Sequence, residues 1–192
     1  MAWKTMDVRL TNDPTSPGLL IHNGRLADPM NPFTKDLKKI SGKRNKTDAD
    51  FVEMAHLEFL GGLYWTEELG PHIPGMCLEA SFKEAARKLK KGKLVESGVI
   101  INTDWPIEYD GPRDAEKLWK DERFRLSVGV RVQRNRVMRC RPLFRDWAIA
   151  GTVGYEDTII NPAELKDIIK IAGSVIGLCE WRPKFGRYVP EF

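Results

Sequence analysis

Two amphipathic helices, each set between extended segments, constrain the fold of this chain more than any other feature. In the stretch MCLEASFKEAARKLKKGK, apolar residues recur at helical spacing from Leu78 through Phe82 to Leu89. In NPAELKDIIKIAGSVIG, Asn161 is a suitable helix cap and Pro162 occupies the first helical position. Segments of alternating apolar and polar residues flank both helices, which is typical of strands. We therefore expect strands with two helices packed against them.

The order of these segments predicts the fold class. We predict β (6–22), α (76–91), β (98–109), β (143–155), α (161–176) and β (185–190). This βαββαβ order is that of the ferredoxin-like arrangement, so the expected class is α+β with a modified ferredoxin-like core, as in RRM-type RNA-recognition domains. The same order also serves metal binders, enzymes and regulatory modules, and therefore gives no function by itself.

The length of 192 residues suits a single domain, 1–192, with two additions to this core. The first is an insertion at 25–62, which we interpret as a loop over 25–46 followed by a helix. Thr47 can cap that helix, with Asp50 in the position of a capping box. The second is an arginine-rich β-hairpin at 123–142, in which valines alternate with polar residues on both sides of a reversal at QRN.

The positive charge of the chain is concentrated in that second addition. Between residues 123 and 145 there are eight arginines and no acid, whereas the whole chain has a net charge of only +4. The arginines are Arg123, Arg125, Arg131, Arg134, Arg136, Arg139, Arg141 and Arg145. Guanidinium groups bind phosphate through paired hydrogen bonds and also stack on bases. A run of them along a hairpin favours a nucleic-acid site over the alternative, in which they pair with acids of the same chain or coat an exposed ribbon.

Other basic and aromatic residues extend this expected site. The loop at 25–46 would close over a bound strand, and the segment EWRPKFGR offers an aromatic ring beside cations, which is typical of single-strand binders. The predicted contacts are Arg25, Lys43, Arg44, Lys46, Arg131, Arg134, Arg136, Arg139, Arg141, Trp181, Arg182 and Arg187. The N-terminus of the helix after Pro74-Gly75 would present backbone amides to a phosphate.

One segment resembles a known family. PHIPGMCLEASFKEAARK is similar to the IPGSSLKGALR motif of the RAMP superfamily, the guide-RNA-binding backbone subunits of CRISPR effector complexes. Ile73, Pro74, Gly75 and Leu78 match in place, Met76 and Cys77 replace the two serines, and the Gly-Arg of RPKFGRY is similar to the family's C-terminal glycine-rich element. The resemblance implies a ferredoxin-like fold, RNA binding, and a stand-alone relative of the kind that bacteriophages encode. It also implies head-to-tail self-association along a strand.

Signals for catalysis, metals and cofactors are weak. The three histidines show no ligand spacing with the cysteines, and there is no phosphate-binding glycine loop. Asp28 lies in the stretch where cleaving RAMP proteins carry an aspartate, but no local motif matches. A metal-dependent nuclease using Asp28 and Asp104 therefore ranks last. We expect no enzyme activity, no cofactor and no metal.

Cysteine usage and hydropathy predict the compartment. Cys77, Cys140 and Cys179 are scattered and odd in number, which suits a reducing cytoplasm without disulfides. No apolar run reaches the ~20 residues of a membrane span, and the first residues carry no signal-peptide core, so we expect a cytoplasmic protein without a membrane partner.

The sequence leaves two principal functions open. The first is a non-enzymatic protein that binds single-stranded RNA or DNA. The alternative is a phage-encoded protein-interaction module, such as an inhibitor of the anti-CRISPR type or an assembly subunit, whose arginine hairpin docks on an acidic partner.

Overall fold

The computed structural model describes residues 3–132 and 135–192, and for residues 131, 132, 135 and 136 it describes the backbone only. The protein is a mixed α+β structure with antiparallel sheets. The strands are β1 (Trp3–Asn12), β2 (Leu19–Leu20), β3 (Trp65–Thr66), β4 (Gly70–Ile73), β5 (Val99–Ile100), β6 (Trp105–Pro106), β7 (Arg125–Val132), β8 (Asn135–Phe144), β9 (Ala148–Glu156) and β10 (Tyr188–Glu191). The helices are α1 (Pro32–Ser41), α2 (Asp48–Gly62), α3 (Gly75–Lys88), α4 (Gly92–Gly98), α5 (Ala115–Lys120) and α6 (Pro162–Ile171). Helix α6 continues as a π-helical turn, Ala172–Ile176, and short 3-10 turns lie at Gly24–Ala27 and Glu122–Phe124.

The main sheet has four strands in the order β10-β1-β9-β5, and every neighbouring pair is antiparallel. Its longest pairing joins β1 to β9, from Trp3↔Glu156 to Thr11↔Ala148. Alternation along β1 buries Val8 and Leu10, whereas the intervening Arg9 is only half-buried and the preceding Asp7 is exposed. The buried side chains join those of α3 and α6 in one hydrophobic cluster, so the helices cover one face of this sheet.

The arginine-rich segment forms the predicted hairpin. Strands β7 and β8 pair antiparallel, with Leu126 opposite Arg141 and Val128 opposite Arg139. The base of the hairpin is anchored, because β8 also pairs with β2 through Leu19↔Phe144. Helix α2 packs along β8. The hairpin is therefore a fixed part of the body over its described length.

The insertion differs from the prediction at its start. Residues 25–46 were predicted to be a loop, and this is wrong: the 3-10 turn and α1 lie there. The side chain of Asn31 accepts a hydrogen bond from the Phe33 amide, and Pro32 begins the helix. This is the same Asn-Pro start that predicted α6 correctly. Phe33, Leu37 and Ile40 recur at helical spacing in α1, so the sequence carries a helical signal that the prediction of a loop overlooked, although none of the three is completely buried.

Three of the expected core segments each contain parts of two strands. The expected strand 6–22 is β1 plus the separate β2, and the expected strand 98–109 is β5 plus β6, which belong to different sheets. The expected strand 143–155 begins inside β8, turns at Arg145 and Asp146, and continues as β9. The turn-rich NDPTSPG separates the first two strands, whereas the turn at Arg145 and Asp146 interrupts a stretch that alternation alone predicts as one strand. The helix caps at Thr47 and Asn161 are confirmed, with their side chains accepting from the Asp50 and Glu164 amides.

Among the helices of residues 3–132 and 135–192, none combines the length and apolar character that crossing a bilayer requires.

Candidate nucleic-acid interface

Of the five arginines predicted to line the hairpin, the structure describes the side chains of Arg139 and Arg141. Arg134 lies outside the described residues, and the side chains of Arg131 and Arg136 lie outside them as well. The backbone register sets position 131 opposite position 136. Successive strand residues alternate between faces, so positions 136 and 139 occupy opposite sides of β8.

Arg139 is neutralised within its own chain. Its guanidinium pairs with the carboxylate of Glu58, a residue of α2 that is only 4% exposed. The other Glu58 oxygen accepts a hydrogen bond from the Cys140 amide at 2.9 Å. This ion pair joins α2 to β8. Because the guanidinium of Arg139 is engaged in it, that group is less available for the predicted contact with nucleic acid.

The arginines at the start of the hairpin are also paired. Arg123 contacts Asp121 at 2.7 Å and Arg125 contacts Glu122 at 2.8 Å. These two acids come immediately before the acid-free run, so a charge count restricted to residues 123–145 leaves them out. The segment is less cationic in three dimensions than its composition indicates.

Arg141 remains a cation at the base of the hairpin. It is half-buried, and this burial lowers the pKa of its guanidinium, an effect that the nearby Glu58 and Glu180 oppose. His22 lies in the same cluster, where burial and Arg141 lower the pKa of its imidazole. Sequence reasoning did not assign His22 to the site, because it stands alone between β2 and a turn.

The best-formed recognition element is the loop after the π-helical turn. Trp181 is 44% exposed, and its indole stacks on Phe185 with ring centroids 5.9 Å apart and an interplanar angle of 10°. The ammonium of Lys184 lies 5.9 Å from the same indole ring. Arg182 is exposed and reaches Glu84 at 3.4 Å. Hydrogen bonds from the Glu180 amide to Leu20 and from the Phe185 amide to Trp181 hold the loop.

Arg187 makes hydrogen bonds that hold the fold together, whereas Trp181 and Arg182 are exposed. Its guanidinium donates to the Thr15 carbonyl at 2.9 Å and to the Thr15 hydroxyl at 2.5 Å, fixing the turn between β1 and β2. The preceding Gly186 has φ +74°, and a Cβ there would lie 2.1 Å from the Leu178 carbonyl oxygen. The Gly-Arg pair therefore joins the C-terminal segment to the turn before β2 and to the loop after the π-helical turn, which explains these residue types without a ligand.

The basic residues of the insertion separate into two groups. Lys43 pairs with Asp50 at 2.6 Å, lowering the pKa of Asp50 to about 2, and Lys46 donates to the Lys43 carbonyl at 2.9 Å. Arg44 is exposed beside them. These residues precede α2, whereas Arg25 lies near its C-terminal end, where Leu26 and Phe33 approach Gly61. Fifteen helical residues span about 22 Å, so the four cations do not act as one closing flap.

Arg25 instead borders a cleft of about 560 Å³. Its lining residues are Asn23, Gly24, Arg25, Tyr64, Trp65, Thr66, His72, Pro74, Met76 and Asp104. The pairing of β4 with β6 through His72↔Pro106 and Ile73↔Trp105 brings Asp104 to the buried His72, with Nε2 and Oδ2 3.6 Å apart. No sequence spacing links residues 25, 64, 72 and 104, because the sheet alone assembles them.

The N-terminus of α3 already faces an anion of the protein. Oδ1 of Asp104 accepts from the Gly75 amide at 3.4 Å, and no side chain of Pro74 caps the helix. The amides predicted to bind a phosphate therefore meet a carboxylate. Glycine is required at this position by close approach, since a Cβ on Gly75 would lie 2.2 Å from the Ile101 carbonyl oxygen.

Beside this cleft lies a pair of thiols. The Cys179 thiol hydrogen-bonds the sulfur of Cys77 and lowers the pKa of Cys77 to about 7, against the opposing effect of burial. Tyr64 accepts a long hydrogen bond from Cys77 at 3.9 Å, and burial raises the pKa of its phenol. The cysteines are free thiols.

Neither aspartate considered for a nuclease stands in a metal-binding cluster. Asp28 accepts from the Met30 amide at 2.8 Å and so closes its own turn. Within the described part of the chain, no group of three or more His, Cys, Asp or Glu side chains could hold a metal ion.

The chain was compared with protein-family models and with curated proteins. No protein-family model matches the chain, and no curated protein matches it.

Proposed function

We propose that this protein binds single-stranded nucleic acid without chemical conversion, and that the loop carrying Trp181 is the centre of the interface. The observation that best supports this proposal is the position of the Trp181 indole. This ring is 44% exposed and stacks on Phe185, and Lys184 and Arg182 lie beside it. An aromatic platform beside cations is the arrangement on which unpaired bases stack and phosphates pair.

The backbone of Trp181 adds support. Its φ of +59° lies in the left-handed region, which is costly for a bulky residue. Such conformations persist where the surrounding structure imposes them, and they cluster at ligand-binding sites. Here hydrogen bonds from the Glu180 amide to the Leu20 carbonyl and from the Phe185 amide to the Trp181 carbonyl flank this residue and hold the loop.

The interface extends from this loop to the base of the hairpin. The charge of Glu180 lies close to Arg141, and Arg182 lies close to the thiol of Cys77 on α3. Arg141, Arg182 and the cleft edge at Arg25 therefore border one region, and the cations before α2 form a second, more distant one. Arg131, Arg134 and Arg136 stay predicted contacts of the hairpin.

We further propose that the main sheet and its helices are a ferredoxin-like unit. The strand order β10-β1-β9-β5 is the 4-1-3-2 order of that arrangement, and helices cover one face. The similarity to RAMP proteins, head-to-tail association along a strand and a cytoplasmic location stay predictions.

A binding series with a matched tryptophan control tests the function. Fluorescein-labelled 20-nucleotide single-stranded RNA, single-stranded DNA and duplex DNA are titrated at 50 and 200 mM salt. Trp181→Ala should weaken single-strand binding about tenfold, since stacking contributes ~1–3 kcal/mol per base. Trp3→Ala removes an indole that is 54% exposed on β1 and should leave binding unchanged. Absence of binding at the lower salt, or equal losses in the two variants, refutes the proposal.

A different surface favours protein interaction as a second candidate. Between α2 and the hairpin lies an apolar groove of about 340 Å³, and its rim includes Phe51 and Met138, which are 56% and 65% exposed. Exposed apolar groups beside a cationic ribbon suit a partner with acidic and apolar residues. This candidate predicts that Phe51→Ser abolishes a partner complex while leaving strand binding intact. It is wrong if strand binding and partner binding fall together.

A further inference from the structure

We propose that the cleft between Arg25 and Asp104 is a binding pocket for one guanine base. This inference rests on the proposed function, in which a flexible single strand passes the cleft and can turn one base into it. Single-stranded nucleic acids are commonly read in this way, by stacking on side chains and hydrogen bonding to the base edge.

The size and walls of the cleft suit a purine nucleotide. Its volume of about 560 Å³ lies within the ~300–1,000 Å³ typical of small-ligand pockets. Tyr64 and Trp65 line one part of it, and Met76 lines another with a side chain that is 71% exposed. A long exposed methionine in a cleft beside two aromatic rings provides an apolar surface for a flat ring.

The polar group that selects the base is Asp104. Its side chain is 45% exposed, and within the described part of the chain its contacts are long, 3.4 Å from the Gly75 amide and 3.6 Å from Nε2 of His72. An ionised carboxylate is acceptor-only and offers about four acceptor positions on two oxygens, so capacity for further donors remains.

The bases differ in the hydrogen-bond donors and acceptors that they present to the Asp104 carboxylate. The Watson–Crick edge of guanine presents two adjacent donors, the ring N1–H and the N2 amino group, which match the two oxygens of one carboxylate. Adenine and cytosine present one donor beside an acceptor, and uracil and thymine present one donor between two acceptors. The acceptors of these four bases would be repelled by the carboxylate, so guanine alone satisfies it at two positions.

Arg25 places a positive charge at the edge of the cleft, opposite in sign to a carboxylate at Asp104. It is exposed on the 3-10 turn, and the Arg25 amide is held by the Asn23 side chain at 3.0 Å. A free phosphate would meet repulsion from Asp104, and a simple cation would meet repulsion from Arg25. A guanine nucleotide satisfies both groups, because it carries donors at the base and negative charge at the phosphate.

The test compares oligonucleotides that differ in one base, together with a free nucleotide. Ten-residue oligouridylates carrying a central guanine, inosine, adenine or uracil are titrated by fluorescence anisotropy, and GMP and UMP are titrated by calorimetry. Inosine keeps N1–H and lacks only the amino group. The guanine oligomer should bind about tenfold more tightly than the others, in line with the discrimination that a bidentate contact provides. GMP should bind and UMP should not.

Two variants assign the effect to the carboxylate. Asp104→Asn keeps the shape of the side chain but replaces one acceptor by a donor, and should erase the guanine preference. Asp110→Asn changes an exposed aspartate six positions further on and should preserve it. Thermal unfolding of both variants checks that they remain folded at the assay temperature.

The outcomes separate the two proposals. Equal binding of all four oligomers without GMP binding overturns the guanine pocket and leaves strand binding standing. GMP binding without any oligomer binding overturns the strand interface and leaves the pocket standing. Binding of neither overturns both, and a guanine preference that survives in Asp104→Asn overturns the assignment to Asp104.

Discussion

Replacement of Arg139 by leucine separates the structural role of the hairpin arginines from their predicted role in binding. In the protein, Arg139 pairs with Glu58, whose side chain is 6% exposed, and this carboxylate also accepts from the Cys140 amide. Arg139→Leu keeps a comparable apolar volume and removes the only cation paired with Glu58 among the described residues. The substitution therefore leaves a buried negative charge held by one backbone N–H.

The expected loss of stability follows from this geometry. Removal of one partner from a buried ion pair costs about 3–5 kcal/mol. The Arg139 side chain is 32% exposed, so water reaches the site, and the Cys140 amide continues to solvate the carboxylate. Both effects reduce the loss, and we expect about 2–3 kcal/mol. For a chain of this size, that corresponds to a fall in Tm of about 5–10 °C.

The double variant Arg139→Leu/Glu58→Gln tests the cause of the loss. Glutamine keeps a carbonyl oxygen for the Cys140 amide and removes the unpaired charge, so the double variant should be more stable than Arg139→Leu alone. The free energy of unfolding is measured by urea denaturation at pH 7 for the wild type, both single variants and the double variant. A loss below about 0.5 kcal/mol in Arg139→Leu, or a double variant no more stable than that single variant, refutes the reasoning.

Two further predictions concern titrating groups. His22 has its pKa lowered by burial and by Arg141, so the folded state binds fewer protons than the unfolded state just below the ordinary value of 6.5. Stability should therefore fall as the pH drops below 6.5, and His22→Gln should flatten this dependence in urea denaturation. Cys77, with its pKa lowered to about 7, should react with iodoacetamide near neutral pH well before Cys140, whose pKa burial raises. Mass spectrometry of the labelled peptides measures both rates, and the Cys77 rate should rise through pH 7.

Each of these two predictions has a contradicting result. An unchanged pH dependence in His22→Gln would mean that His22 titrates alike in the folded and unfolded chains. Equal labelling of Cys77 and Cys140 at pH 7 would mean that the hydrogen bond from Cys179 does not stabilise the Cys77 thiolate.

Local signals predicted the elements with strong chemistry of their own. The caps at Thr47 and Asn161, the helical stripe from Leu78 and the alternation of the arginine hairpin each depend on residues within one turn or one strand. The helix α1 was missed although its Asn31-Pro32 start is as clear as that of α6 and Phe33, Leu37 and Ile40 recur at helical spacing, because the Pro, Gly and Lys residues of the segment are also typical of a loop.

The sequence by itself determined where strands and helices form, where arginines concentrate and which tryptophan stands among cations, since propensity and charge are properties of neighbouring residues. Only the tertiary structure decided which of these charges are free. Glu58 reaches Arg139 from 81 residues away, and Asp104 reaches the start of α3 from 29 residues away. Electrostatic neutralisation depends on distance in space, and an acid-free stretch of sequence carries no information about the acids that other elements bring against it.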